Sequence, residues 1–201
     1  MVRRRVISAF LLAFMLFTLG AVALAGQDEE TGPTAEYEVH VYLLAASNEG
    51  DGGRLPEVVQ PLVGEIQRST QLRSSRLVTT FVHRVSELGQ ISASGVTPPL
   101  MPVATSTSTP GFYTFRVDRI APDRFNRALV GMRQFVFGMR IPIITSRVVE
   151  GKTTEPTVQY ENVGINSSLK LPIDRPAIVG TISTGRPDEL FIVVALVRKV
   201  A

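Results

Sequence analysis

The 201-residue sequence contains no cysteine and only two histidines, His40 and His83. The lack of cysteine excludes disulfide bonds, thiolate metal sites, cysteine nucleophiles and anchoring through a lipid-modified cysteine. Both histidines fall in predicted strands, and no Asp or Glu stands at a spacing diagnostic of a third metal ligand. The sequence therefore predicts no metal site and no cofactor, and a domain held together by its apolar core.

Catalytic motifs are scarce as well. A serine hydrolase places its nucleophile in a Gly-x-Ser-x-Gly turn, and the nearest string, Ser-Ala-Ser-Gly at 92–95, lacks the first glycine. The glycine-rich stretch 50–53 is not followed by the Lys-Ser/Thr pair of a phosphate-binding loop. A carboxylate-based hydrolase built on Asp118, Asp123 or Asp174 is a minor alternative. We predict no catalytic residue.

Positive charge is in excess by only three residues, and this excess is confined to the N-terminus. The chain has 21 Lys and Arg against 18 Asp and Glu, residues 3–5 are all arginine, and no acid precedes Asp28. An apolar run of about 14 residues at 6–19 and Ala-Leu-Ala at 23–25 complete the pattern of a secretory signal peptide. The run is shorter than the roughly 20 residues of a membrane-spanning helix.

Residues 1–25 are accordingly predicted to be a cleaved signal peptide, with an uncleaved anchor as the alternative. We expect a periplasmic or secreted protein that is not integral to the membrane after cleavage. The remaining basic and acidic residues are equal in number, because the three N-terminal arginines account for the whole excess. This balance argues against a nucleic-acid partner.

The expected fold class is α+β, with a small strand-helix-strand unit followed by a mainly antiparallel, β-rich half. Apolar residues from Leu55 to Ile66 recur at helical spacing. Pro56 suits a first turn but Pro61 would interrupt a helix interior, so a short turn leading into a helix that begins near Pro61 is predicted. Period-two patterns predict strands at 37–44, 77–83, 90–96, 112–120, 133–144, 157–171, 177–183 and 190–198. The expected regions are a flexible acidic leader at 26–36, an α/β unit at 37–96, a Pro/Ser/Thr-rich linker or long loop at 97–110 and a β-rich region at 111–201.

Two features of the β-rich region carry specific expectations. The segment 190–197 (LFIVVALV) is almost wholly apolar and predicts a central strand buried on both faces, joined to the preceding strand by the turn at 184–188. Gly164 lies within a strand pattern, which indicates a bulge or a close approach of another backbone.

The stretch 158–165 (VQYENVGI), followed by Leu169, Leu171, Pro172 and Ile173, resembles part of the secretin domain. The apolar tail 188–194 is similar to the strand that closes secretin cores, so the resemblance covers about residues 157–197. Pro172 falls one residue early, the Pro/Gly-rich signature before the closing strand is missing, and the chain is too short for a pore with ring domains. The rest resembles small exported bacterial proteins. The resemblance implies envelope assembly through a protein partner or self-association, without channel function.

Arginine is concentrated between residues 116 and 147, with seven arginines against two acids, whereas 27–65 hold nine acids and one arginine. Alternate side chains of neighbouring strands share a face, so Arg116, Arg133 and Arg140 are candidates for a patch that binds an anionic glycan, phosphate or lipid headgroup. A solvated face neutralised by the N-terminal acids is the alternative. The sequence favours a non-enzymatic envelope protein acting by protein contact or assembly, with an anionic-ligand module as the second hypothesis.

Overall fold

The computed structural model describes residues 35–48, 52–98, 110–145, 148–149, 152–153, 157–184 and 188–200. The predicted signal peptide, nearly all of the acidic leader and most of the predicted linker lie outside these residues. The chain from Ala35 onward forms one compact unit.

The described residues form ten strands and one helix. In chain order they are β1 (Glu36–Ser47), α1 (Gln60–Thr70), β2 (Ser74–Ser86), β3 (Gln90–Thr97), β4 (Gly111–Pro122), β5 (Leu129–Thr145), β6 (Val148–Val149), β7 (Lys152–Thr153), β8 (Thr157–Pro172), β9 (Ala177–Ser183) and β10 (Glu189–Val200). Each of the eight predicted strands is therefore present, and the helix begins at Gln60 with a proline in its first turn, as predicted. The short strands β6 and β7 were not predicted.

Two antiparallel four-stranded sheets account for most of the structure. The first sheet has the order β2-β1-β10-β9 and the second has the order β3-β4-β5-β8. The fold is thus β-dominated with one short helix, and the α+β prediction is confirmed only in part. The order strand, helix, strand does occur in β1, α1 and β2, but β1 also pairs with β10 along its whole length, from Glu36 opposite Val200 to Ser47 opposite Glu189.

The pairing of β1 with β10 joins the two regions expected on either side of 97–110. The first strand and the last strand lie side by side in one sheet, and β3 pairs with β4 in the other, so both predicted regions contribute to both sheets. The physical reason is that β1 is apolar on both faces, and a separate strand-helix-strand unit would leave one of its edges and much of its apolar surface unpaired.

The main core lies between the two sheets. Alternate side chains of β1 and β10, among them Val41, Leu43 and Val193, face Phe115 and Phe137 of the second sheet. The aromatic rings pack at an angle, with centroids 5.6 Å apart for Phe115 and Phe135 and for Phe81 and Phe137. Burial of these rings and of the aliphatic side chains around them stabilises a chain that has no disulfides.

A second core lies on the opposite face of the first sheet, beneath α1. Ile66 of the helix packs with Leu44 of β1 and with Ile192 and Val194 of β10. Residues Phe191 to Val197 are consequently buried on both faces in the middle of the sheet, which confirms the prediction for this segment. Among the described residues, no helix is long and apolar enough to cross a membrane.

Candidate functional site

The second sheet turns its outer face away from the core, and no described helix or strand packs over this face. Strand register arranges its side chains in rows that cross the four strands. One row holds Val96, Phe112, Arg140 and Asn162; the next holds Ser94, Thr114, Gly138 and Gly164; the third holds Ser92, Arg116, Val136 and Asn166. The middle row has the smallest side chains, so it forms a shallow trough between two higher rows.

The dimensions of this trough follow from sheet geometry. Four strands spaced about 4.8 Å apart give a length of roughly 14 Å, and the flanking rows lie two residues away on either side, or about 7 Å each. A hollow of about 390 Å³ occupies the end formed by β3 and β4, lined in part by Ser94, Thr114, Arg116 and Val136. The trough is therefore open to solvent and suits an extended ligand better than a compact one.

Two glycines form part of the floor of the trough, and the backbones of β5 and β8 approach closely at one of them, Gly164. A Cβ atom on Gly164 would lie 2.5 Å from the carbonyl oxygen of Phe137 and 2.9 Å from the Cα atom of Gly138. A Cβ atom on Gly138 would lie 2.8 Å from Oγ1 of Thr114. The close backbone approach predicted for Gly164 is confirmed, and the bulge of β5 lies elsewhere, between Met132 and Phe135.

Arg140 stands on one wall of the trough beside two aromatic rings that also contact each other, with centroids 5.7 Å apart. Its guanidinium carbon lies 5.9 Å from the ring centroid of Phe112 and 5.4 Å from that of Tyr160. The Tyr160 hydroxyl donates a long hydrogen bond, 3.4 Å, to the carbonyl oxygen of Pro110. Cation–π contacts with both rings restrict the guanidinium, and its N–H groups form no ion pair with an acid among the described residues, so they can bind a carboxylate or phosphate in a bidentate manner.

The structure brings two of the three predicted arginines to the trough. Arg116 is exposed on the opposite wall, between Ser92 and Val136, so the rows of Arg116 and Arg140 are about 14 Å apart. Arg133 is also exposed, but it lies in the bulge of β5, seven residues from Arg140 or about 24 Å along the strand. Arg133 is therefore outside the trough.

The two histidines lie on opposite faces of the first sheet, as their register shows: His83 is opposite Val39, and His40 is opposite Val82. His83 stacks on the ring of Phe115 between the sheets, at 5.3 Å between centroids, and burial lowers its pKa. His40 instead bonds Glu38, which also pairs with Arg84. Within the described ranges, no three His, Asp or Glu side chains are grouped so that they could hold a metal ion.

The three carboxylates considered for hydrolysis have separate surroundings. Asp118 is in β4 opposite Gln90 and Gln134, and Asp174 occupies a turn with φ of 60°. Asp123 is bound by Lys170 and by the backbone N–H groups of the following turn, and these interactions lower its pKa. These bonds give Asp123 a role in holding the turn.

Sequence reasoning missed the hydroxyl-bearing floor and the aromatic partners of Arg140. Ser94, Thr114, Phe112 and Tyr160 come from three strands, and only the register joins them. Gly138 and Gly164, both inside strand patterns, were the available signal, because paired glycines on one face leave a depression.

Comparison with known proteins found no match to this chain among family models, curated proteins or solved structures.

Proposed function

We propose that the protein is a non-enzymatic binding module of the bacterial cell envelope, and that its trough holds an extended anionic glycan. The observation that carries this proposal is the placement of Arg116 and Arg140 on opposite walls of a floor made of glycine and hydroxyl side chains. A polymer lying across the strands meets a guanidinium on each side.

The chemistry of the lining supports a sugar ligand. Ser94 and Thr114 on the floor and Ser92 on a wall can each donate and accept hydrogen bonds. Asn162 and Asn166 offer amides on the two walls at the β8 end, so the trough can pair with ligand hydroxyl groups. Guanidinium groups bind carboxylates in charge-assisted pairs, which are roughly twice as strong as neutral hydrogen bonds. The ring of Phe112, which is partly exposed, adds an apolar surface beside Arg140.

The test is binding of polygalacturonate, a polymer with one carboxylate per sugar, compared with the neutral polymer dextran. We expect Arg116→Gln and Arg140→Gln each to weaken polygalacturonate binding about tenfold, the value of a lost hydrogen bond to a charged group. Gly138→Val should also weaken it, because the added side chain occupies the floor.

Arg133→Gln is the matched control, since Arg133 is an exposed arginine of the same sheet outside the trough. It should leave binding unchanged. Equal loss of binding in Arg133→Gln and Arg140→Gln would mean that binding depends on the net charge of the sheet and not on the trough. Unchanged binding in an Arg116→Gln, Arg140→Gln double variant would refute the proposal.

A second candidate function, contact with a protein partner or with another copy, is favoured by the ribbon formed by β5 and β8. Residues 141–145 pair with 157–161, whereas β4 begins at Gly111, and no described strand pairs with 142–145 on that side. A free strand edge can accept a strand from another chain. This supports the assembly role implied by the secretin resemblance.

Light scattering of residues 26–201 without detergent tests this candidate. A defined oligomer is expected at low salt. Its dissociation at high salt would assign the contact to attraction between the acid-rich segment 27–65 and the arginine-rich segment 116–147. A monomer at both salt concentrations would contradict self-association.

A further inference from the structure

The two most exposed large apolar side chains of the described residues lie at one end of the sandwich. Phe125 is 95% exposed and Leu88 is 65% exposed. Leu88 is in the turn between β2 and β3, and Phe125 is in the turn between β4 and β5. The N–H group of Leu88 donates to the carbonyl oxygen of Ile120 at 2.8 Å, which ties its turn to the end of β4.

The turn that carries Phe125 is held by several hydrogen bonds. Oδ1 of Asp123 accepts the backbone N–H groups of Phe125 and Asn126 at 2.9 and 3.1 Å, and Oδ1 of Asn126 accepts that of Ala128 at 3.0 Å. The other carboxylate oxygen of Asp123 pairs with Lys170 at 2.5 Å. Phe125 is thus held out into solvent by an ordered turn.

The other apolar residue occupies a position that folding alone does not favour. Gly89 donates its N–H to the carbonyl oxygen of Ser86 at 2.9 Å, which makes Leu88 the third residue of a four-residue turn, with φ of 60°. Glycine or asparagine is usual at such a position, because a bulky side chain with positive φ is strained. A leucine that is both strained and exposed does not stabilise the fold, which indicates that its side chain interacts with another molecule.

Basic side chains lie beside Leu88, and two of them, Arg124 and Arg127, belong to the turn that carries Phe125. A hollow of about 620 Å³ at this end is lined by Leu88 and Tyr37 together with the exposed cations Arg124, Arg127 and Lys199. Its acids are Glu87 and Asp123, and Asp123 is already paired with Lys170. Neither Arg124 nor Arg127 forms an ion pair with an acid in the described part of the chain.

We propose that this end of the sandwich, comprising Leu88, Arg124, Phe125, Arg127 and Lys199, docks onto the surface of an anionic lipid bilayer. Phe125 and Leu88 enter the headgroup region, and the three cations lie over anionic headgroups. Apolar side chains flanked by basic ones are the combination that binds such a surface. A site for a small soluble anion would need the cations but would not need exposed apolar side chains.

The experiment is co-sedimentation of residues 26–201 with phosphatidylcholine vesicles, pure or containing about 30% phosphatidylglycerol. The segment 6–19 is left out because its apolar run would itself bind lipid, and the shortened chain keeps the whole compact unit from Ala35 onward. We expect binding only to the anionic vesicles. Arg124→Gln with Arg127→Gln should weaken it more than tenfold, at about fivefold for each charge.

The apolar residues are tested with Phe125→Ser and Leu88→Asn, each of which should weaken vesicle binding about tenfold. Asparagine tolerates the backbone conformation of Leu88, so this variant should fold at least as well as the parent. The controls are Val96→Ser, an exposed apolar residue near the far end of β3, and Arg68→Gln on the helix. Neither should change binding.

Absence of binding to anionic vesicles would overturn the proposal. So would binding that is unchanged in the Phe125→Ser, Leu88→Asn double variant, since that result would show that the apolar side chains do not enter the bilayer surface. Arg140→Gln should retain full vesicle binding, so failure of the trough proposal and failure of this one are distinguishable.

Discussion

Replacing Gly164 by alanine is expected to destabilise the second sheet, because the atoms that the new methyl group meets belong to the backbone. Its Cβ would lie 2.5 Å from the carbonyl oxygen of Phe137, whereas Cβ contacts below 3.0 Å are essentially never seen. The backbones of β5 and β8 must therefore separate by about half an ångström at this point. No rotation of a side chain can supply that space.

The size of the effect is the difference of two terms. Overpacking of this kind costs about 1–3 kcal/mol. Alanine restricts the unfolded chain more than glycine does, which stabilises the folded state by about 0.4–1 kcal/mol. The expected net loss is about 1–2 kcal/mol, which lowers the melting temperature of a domain of this size by about 2–8 °C.

The assay is urea unfolding followed by circular dichroism, with Gly131→Ala as the matched control. Gly131 lies in β5 between the same neighbouring strands, and the nearest atom to a Cβ there would be the carbonyl oxygen of Ala121, at 3.8 Å. The control should be neutral or slightly stabilising, and Gly138→Ala should fall between the two, because Thr114 can rotate its hydroxyl away. Equal stability of Gly164→Ala and Gly131→Ala would refute the reasoning.

Three further predictions concern the core and pH dependence. Phe191→Ala should cost about 3–5 kcal/mol in urea unfolding, because Phe191 is completely buried in the central strand β10, and a loss below about 1 kcal/mol would contradict this. Burial lowers the pKa of His83 from 6.5, so the unfolded state binds the proton at a higher pH than the folded state does. Wild type should therefore lose more stability than His83→Gln between about pH 7.5 and pH 5. Lys170 and two backbone N–H groups lower the pKa of Asp123, so its contribution to stability is present above the unfolded pKa and is lost as pH falls through the folded pKa. Asp123→Ala should therefore be less stable than wild type at neutral pH, and persistence of that difference in strong acid would contradict the assignment.

Alternation of apolar and polar residues was enough to predict the strands, and the turn at 184–188 was enough to predict the hairpin of β9 and β10. Residues 190–197 contain no polar side chain, and this short run with several β-branched residues is typical of a strand buried on both faces. The partner of that strand was not predictable in the same way, because β1 lies about 150 residues earlier and alternation gives a residue's face but not the strand beside it.

The candidate site shows the same limit at the level of single residues. Arg116 and Arg140 were named from the sequence, and both lie on the outer face of the second sheet. Strict alternation would turn Arg133 toward the opposite face from Arg140, since the two are seven residues apart. The bulge between Met132 and Phe135 changes the phase of β5 and exposes Arg133, and nothing in the sequence marks that bulge.

The pairing of β1 with β10 has a consequence for the order of folding. At synthesis rates of about 5–20 residues per second, β1 must wait roughly 10–30 s for the strand that completes its sheet. During that interval the edge of β1 that pairs with β10 has no partner, and contacts so distant in sequence close slowly. A chain that completes its first sheet only when β10 arrives therefore exposes a strand edge to other chains throughout that interval.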